Sequence, residues 1–141
     1  MVIHTGSRAV IEARRFILGL LLAQHSSDCD DCGVRDGCAL RRLASDLGIE
    51  IAGQDESVSR EVDGRLVRIR ERCILCGKCV RVCAEVQGAC AIGFRGRGAN
   101  TTIGPPRDLS LKEAGCVLCR KCVEACPAGA IEFVEKTQER K

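Results

Sequence analysis

Cysteine spacing constrains this chain more than any other feature. Eight of its twelve cysteines fall into two runs of the form Cys-x-x-Cys-x-x-Cys-x-x-x-Cys. The first is Cys73, Cys76, Cys79 and Cys83; the second is Cys116, Cys119, Cys122 and Cys126, followed by Pro127. Each member of the second run lies 43 positions after its counterpart, and the match extends to Leu75 and Leu118, Lys78 and Lys121, and Val80 and Val123. An internal repeat of this kind predicts two similar units built around two similar sites. The remaining composition makes such sites necessary. With three Phe, no Trp and no Tyr in 141 residues, the chain gathers a weak apolar core, which cross-links or metals are expected to supplement.

Disulfides and metal are the two chemistries open to so many cysteines. The apolar run Phe16 to Ala23 follows Glu12, Arg14 and Arg15 and leads to no small-residue cleavage site, so it does not read as a secretory signal. It is also too short to span a bilayer. The expected compartment is the cytoplasm, where thiols stay reduced and metal is favoured over disulfide. Zinc usually takes two close pairs separated by a spacer, not three cysteines in seven residues. The runs instead resemble those of bacterial ferredoxins that hold two [4Fe–4S] clusters. In that family the fourth Cys of each run ligates the other cluster. The resemblance implies one cluster on Cys73, Cys76, Cys79 and Cys126, and a second on Cys116, Cys119, Cys122 and Cys83.

A third constellation lies upstream: His25, Cys29, Cys32 and Cys38, four donor residues within fourteen positions. A lone His at a helix end is usually an ordinary residue, but three nearby cysteines point to metal. Spacing alone leaves the metal open, and a Cys-Cys-Cys-His zinc site is one solution. Cys90 fits no run and reads as a small buried apolar residue. His4 has no cysteine near it and reads as a surface residue.

The stretch His25 to Leu47, followed by Cys-Ile-Leu-Cys-Gly-Lys-Cys-Val-Arg-Val-Cys-Ala-Glu-Val-Gln-Gly at 73–88, resembles the large iron–sulfur subunit of respiratory complex I. The same module occurs in NAD-linked hydrogenases, electron-bifurcating [FeFe] hydrogenases and formate dehydrogenases. The run from Cys116 to Ile131, ending Cys-Pro-Ala-Gly-Ala-Ile, is similar to that family's second quartet. The resemblance implies a [4Fe–4S] cluster on His25, Cys29, Cys32 and Cys38, hence three [4Fe–4S] clusters in all. It also implies partners: a flavin- or NAD-binding subunit, a [2Fe–2S] module and a catalytic subunit. Family members usually carry a [2Fe–2S] domain before this point, and Val2-Ile3-His4-Thr5 resembles the seam after it. That domain is expected on a separate subunit or cut away. Many members continue into a large catalytic domain, whereas this chain stops soon after the last run. The complete second quartet leans toward the hydrogenase and formate dehydrogenase branches.

The expected architecture is α+β: a helical His/Cys3 cluster domain over 1–52, a linker over 53–64, and a two-cluster ferredoxin-like domain over 65–141. Ser7 to Gln24 reads as a helix capped by Ser7, with Val10, Phe16, Ile17, Leu20 and Leu21 on its apolar face. A second helix is expected from about Gly37 to Leu47, carrying Leu40, Leu43, Ala44 and Leu47 and stopped by Gly48. Strands are expected at Leu66 to Ile69, Ala91 to Phe94, around Thr101 to Ile103, and at Ile131 to Val134. Gly93 to Gly98 and Gly104-Pro105-Pro106 read as loops, and the charged tail from Glu135 to Lys141 reads as frayed.

Several functions are disfavoured. Gly93 to Gly98 reads Gly-Phe-Arg-Gly-Arg-Gly, which is not a dinucleotide fingerprint, and no βαβ unit surrounds it. The formal net charge of +3 gives no reason to expect nucleic acid, and three loaded clusters would bring the chain to about −2. No catalytic site of its own is expected. The chain reads as an electron-transfer subunit or domain of a larger oxidoreductase. The competing reading is a two-cluster ferredoxin with a structural zinc site, acting as an interaction module.

Overall fold

The computed structural model describes residues 1–25, 29, 32–51, 59–106 and 109–135. The chain divides into two compact units, 1–57 and 58–141.

In the first unit, helix α1 spans Arg8–Gln24, and the Ser7 hydroxyl caps it by accepting from the Val10 N–H at 3.4 Å. Such a cap satisfies one of the orphan donors of the first turn. Leu18 is the buried residue of α1, and Ile11, Leu22 and His25 continue the half-buried stripe around it. Phe16, Ile17 and Leu20, expected on the covered face, stay 69%, 58% and 57% exposed. The run Phe16 to Ala23 is apolar around more than one face, so packing on one side leaves the other uncovered. Helix α2 spans Ala39–Asp46, with Cys38 at its N-cap and Ala44 buried. A 3₁₀ turn occupies Arg35–Gly37, and α2 begins two residues after Gly37, its expected start. At the far end Ile49 N–H reaches back to the Ala44 carbonyl at 2.8 Å, and the Arg15 Nε of α1 donates to the Leu47 carbonyl at 2.9 Å. These bonds tie the end of α2 to the middle of α1.

Among its described residues the second unit holds five short strands. Strands β1 (Arg60–Asp63), β2 (Leu66–Ile69) and β5 (Ile131–Phe133) form an antiparallel sheet in the order β1-β2-β5, while β3 (Gly93–Arg95) and β4 (Thr102–Gly104) form a separate hairpin. β1 lies inside the segment read as linker. Its side chains are almost all exposed, so it carries no alternation to betray it. The pairing of Asp63 with Leu66 leaves a two-residue loop with Gly64 at φ +63, the first position of a tight hairpin turn where glycine is favoured. Asp63 Oδ2 also accepts from the Leu111 N–H at 2.7 Å, fixing the segment before the second cysteine run.

Helices α3 (Lys78–Arg81) and α4 (Lys121–Glu124) are one turn each, and α3 continues into a π-helical turn over Val82–Val86. The core between them is small: Leu66, Cys79, Ile92, Leu111 and Ile131, with Cys83, Cys116 and Cys122 partly buried against it. Four of these packed residues are cysteines, so a metal bound at the cysteine sites also adds to the core.

One charged side chain is buried among the described residues. Arg72, 1% exposed, ends the 3₁₀ turn Arg70–Arg72 immediately before Cys73 and donates to Glu132 of β5 at 2.9 Å.

Candidate metal centres

Both cysteine runs begin after a turn, Arg70–Arg72 before Cys73 and residues 111–115 before Cys116, and then follow the same backbone path. Leu75 and Leu118 each sit at φ +53, and Gly77 and Arg120 at φ +71 and +65, so the left-handed residues fall at equivalent places in the repeat. A non-glycine residue in this region is uncommon, and its occurrence twice at one repeat position shows that the Cys-x-x-Cys-x-x-Cys loop requires it. The loop coils so tightly that Cys76 and Cys119 emerge exposed while Cys79 and Cys122 turn inward at the start of α3 and α4.

Two cavities result. One is lined by Cys73, Cys76, Cys79 and Cys126, with Gly77, Ile103 and Pro127 among the other walls. The other is lined by Cys83, Cys116, Cys119 and Cys122, with Leu66, Ile92 and Leu111 beneath and Arg120 and Lys121 at the side. The fourth cysteine of each run therefore stands with the first three of the other, across 33 to 53 positions of sequence.

The thiol electrostatics follow this grouping. Burial pushes the Cys79 thiol up to about 12, and Cys73, Cys126 and Cys76 push the same way. Burial also raises Cys73, with Cys126 and Cys76 adding to it against an opposing hydrogen bond from the Leu75 backbone. Cys122 rises to about 11, by burial first and then by Cys116 and Cys119. Burial thus holds Cys73, Cys79 and Cys122 toward the neutral thiol, and a metal must displace those protons to bind thiolate. The Ala130 N–H donates to Cys126 Sγ at 3.3 Å, the kind of bond that orients a ligand sulfur and stabilises its negative charge. Four thiols in an apolar pocket, one with a backbone donor aimed at it, fit an iron–sulfur cluster.

The upstream residues are placed less completely. His25 caps the C-terminus of α1 and Cys38 the N-terminus of α2, and His25, Cys29, Cys32 and Cys38 are all half-buried. The Cys32 N–H donates to the Cys29 carbonyl at 3.4 Å. Residues 26–28, 30 and 31 lie outside the described residues. Among the described residues no three His, Cys, Asp or Glu side chains converge on a single-ion site. Cys90, expected to be buried, is exposed at φ +49 and lines neither cavity. It follows the tight turn at Gly88, where the backbone bends back and its N–H reaches the Cys83 carbonyl at 3.4 Å. His4 is exposed, as expected.

Sequence reasoning missed the surroundings of the sites. Phe94 of β3 packs on the first loop, with its ring 3.1 Å from where a Cβ on Gly77 would stand. On the second loop the Arg120 guanidinium lies over the Phe133 ring at 3.9 Å from its centroid. The Gly–Arg difference between the repeats is legible in the sequence, but its meaning needs the equivalence of the two backbones.

Comparison with known proteins agrees with this geometry. The 4Fe-4S dicluster domain family matches residues 72–130, which spans both runs. Over 135 residues the chain is 32% identical to the NADP-reducing hydrogenase subunit HndD of Solidesulfovibrio fructosivorans, covering 93% of this chain and 23% of that protein. It is 34% identical to the 78 kDa subunit of mitochondrial NADH-ubiquinone oxidoreductase of Candida albicans, covering 93% and 19%. Residues 72–130 are a 4Fe-4S dicluster domain, and the chain is homologous to a part of NADH-ubiquinone oxidoreductase 75/78 kDa subunits and of an NADP-reducing hydrogenase subunit. In three dimensions the domain is similar to a chain in the crystal structure of an NAD+-reducing [NiFe]-hydrogenase, with TM-score 0.75 and 25% identity, covering 96% of this chain and 59% of that one. The dicluster domain implies [4Fe–4S] clusters and an electron-transfer role. The chain spans about a fifth of the length of the curated relatives it matches. No helix among the described residues is long and apolar enough to cross a membrane.

Proposed function

We propose that this domain is a one-electron relay holding three [4Fe–4S] clusters within a multi-subunit NAD-linked oxidoreductase. The observation that carries the reading is the exchange of fourth cysteines between the two cavities, the arrangement a two-cluster ferredoxin uses. Cys73, Cys76, Cys79 and Cys126 hold one cluster, and Cys116, Cys119, Cys122 and Cys83 a second. His25, Cys29, Cys32 and Cys38 hold the third; the likeness of the whole chain to the hydrogenase and complex I subunits supports this. When bound, the clusters accept and return single electrons, linking a flavin/NAD(H) or [2Fe–2S] module to a catalytic subunit of a hydrogenase, formate dehydrogenase or complex I-like enzyme.

The chain's own residues fix the sites and set their environment. The tight loops at Leu75 and Leu118 hold the thiols of each run apart, and Leu66, Ile92, Leu111 and Ile131 keep water from the inner faces. Twelve free cysteines suit a reducing compartment, and we place the domain in the cytoplasm. The testing experiment is an anaerobic visible and electron paramagnetic resonance spectrum before and after dithionite. A brown chain whose spectrum bleaches on reduction supports the relay; a colourless, zinc-bearing chain overturns it. Substituting His25→Cys should shift the midpoint of one cluster, and an unchanged titration removes His25 from the ligand set.

A further inference from the structure

The internal repeat makes each cavity a control for the other, and one difference stands out. Gly77 and Arg120 occupy the same position of the loop at nearly the same left-handed φ, +71 and +65. Glycine adopts this conformation without cost, whereas an arginine is strained there. In the first repeat the ring of Phe94 covers the place a side chain would take. In the second repeat that place opens toward Phe133, and the guanidinium of Arg120 stacks on the ring at 3.9 Å, with Glu135 at 3.8 Å behind it. The stacking holds a cation, which the ring face attracts, in the wall of the cavity lined by Cys83, Cys116, Cys119 and Cys122. Lys121 lines the same cavity, but its counterpart Lys78 exists in the other repeat. Arg72 and Arg81 of the first repeat also lack cationic counterparts, matching Gly115 and Glu124 in the second, but neither lines a cavity; of the two cations in a cavity wall, Arg120 is the one whose counterpart is not a cation.

We infer that Arg120 is a positioning and tuning residue particular to the second site, raising the reduction potential of the cluster beside it. The inference rests on the ligand sets proposed above. A fixed positive charge favours the reduced, more negative cluster. Arg120 is 48% exposed and Glu135 offsets part of its charge, so water and the counter-ion limit the effect. The asymmetry would bias where an electron rests between the two sites.

The test is an anaerobic redox titration of the cluster-loaded chain, followed by electron paramagnetic resonance, with iron and sulfide measured in every sample. In Arg120→Gly, which installs the residue of the other repeat, the reduced-to-oxidised ratio of one cluster at fixed potential should fall about twofold to tenfold; tenfold corresponds to about 59 mV for a one-electron couple. The other clusters should not move, and in a Cys122→Ala background the same substitution should shift nothing. Phe133→Leu keeps the charge but frees it into water and should give a smaller shift in the same direction, which serves if Arg120→Gly loads poorly. Unchanged midpoints with full iron in either variant, or equal shifts of both clusters, overturn the role of Arg120. A wild-type chain that binds zinc in place of iron overturns the ligand reading instead.

Discussion

The pair Arg72–Glu132 ties the turn before the first cysteine run to the strand after the second. Its two partners are unequally buried: the Arg72 side chain is 1% exposed and that of Glu132 32%, at 2.9 Å. Glu132 has a second cation, Arg60, at 3.5 Å. Removing Glu132 therefore takes a carboxylate away from a buried guanidinium, whereas removing Arg72 leaves a carboxylate that keeps water and Arg60. Breaking a fully buried pair costs about 3–5 kcal/mol. Because Glu132 is a third exposed, Glu132→Gln should cost less, about 2–3 kcal/mol. Arg72→Met keeps an apolar stem and should cost about 1–2 kcal/mol, near the value of one charge-assisted hydrogen bond. The assay is the rate of cluster bleaching in anaerobic urea, since loss of a cluster makes unfolding effectively irreversible. If the pair is already broken at the transition state, Glu132→Gln bleaches about 30- to 150-fold faster and Arg72→Met about 5- to 30-fold faster. Equal rates, or Arg72→Met as the worse variant, would refute the reasoning from burial.

Exchange of ligands between the runs makes a sharp prediction: Cys126→Ala should abolish the cluster of the first three cysteines and Cys83→Ala that of the second, each with loss of about four iron. Loss of the same-run cluster in either variant contradicts it. The repeat also predicts opposite effects at one position. Gly77→Ala, at φ +71 with Phe94 3.1 Å from the new Cβ, should speed bleaching by the equivalent of about 1–2 kcal/mol, while Arg120→Gly should not speed it. In the metal-free chain, the Cys79 thiol has a folded value raised from 9.0 to about 12. Its contribution to stability is present below pH 9 and lost as pH rises through about 12. The urea midpoint of that form should thus fall between pH 9 and 12, and a flat or rising midpoint would count against the burial of Cys79.

How much of this was legible in the sequence depends on the range of the interaction concerned. The cysteine runs, the 43-residue repeat, α1 with its Ser7 cap and strands β2 and β5 are local patterns, and local patterns read well. β1 escaped because an exposed edge strand of four residues has no apolar face to announce it. The exposure of Phe16, Ile17 and Leu20 escaped because an apolar run names more faces than one helix can bury. Arg72 and Glu132 are ordinary charged residues sixty positions apart, and nothing before the fold distinguishes that pair from a surface one. The Arg120 and Phe133 contact is hidden for the same reason. The left-handed turns at Leu75 and Leu118 are invisible in a sequence that offers no glycine there; only the geometry of wrapping three thiols around one site demands them.

The presence of three iron–sulfur clusters on one short chain is tested most directly by counting iron, acid-labile sulfide and zinc per chain after anaerobic purification. About twelve iron and twelve sulfide with no zinc are expected. About eight of each together with one zinc would contradict the three-cluster relay, leaving a two-cluster ferredoxin whose His25 site is structural.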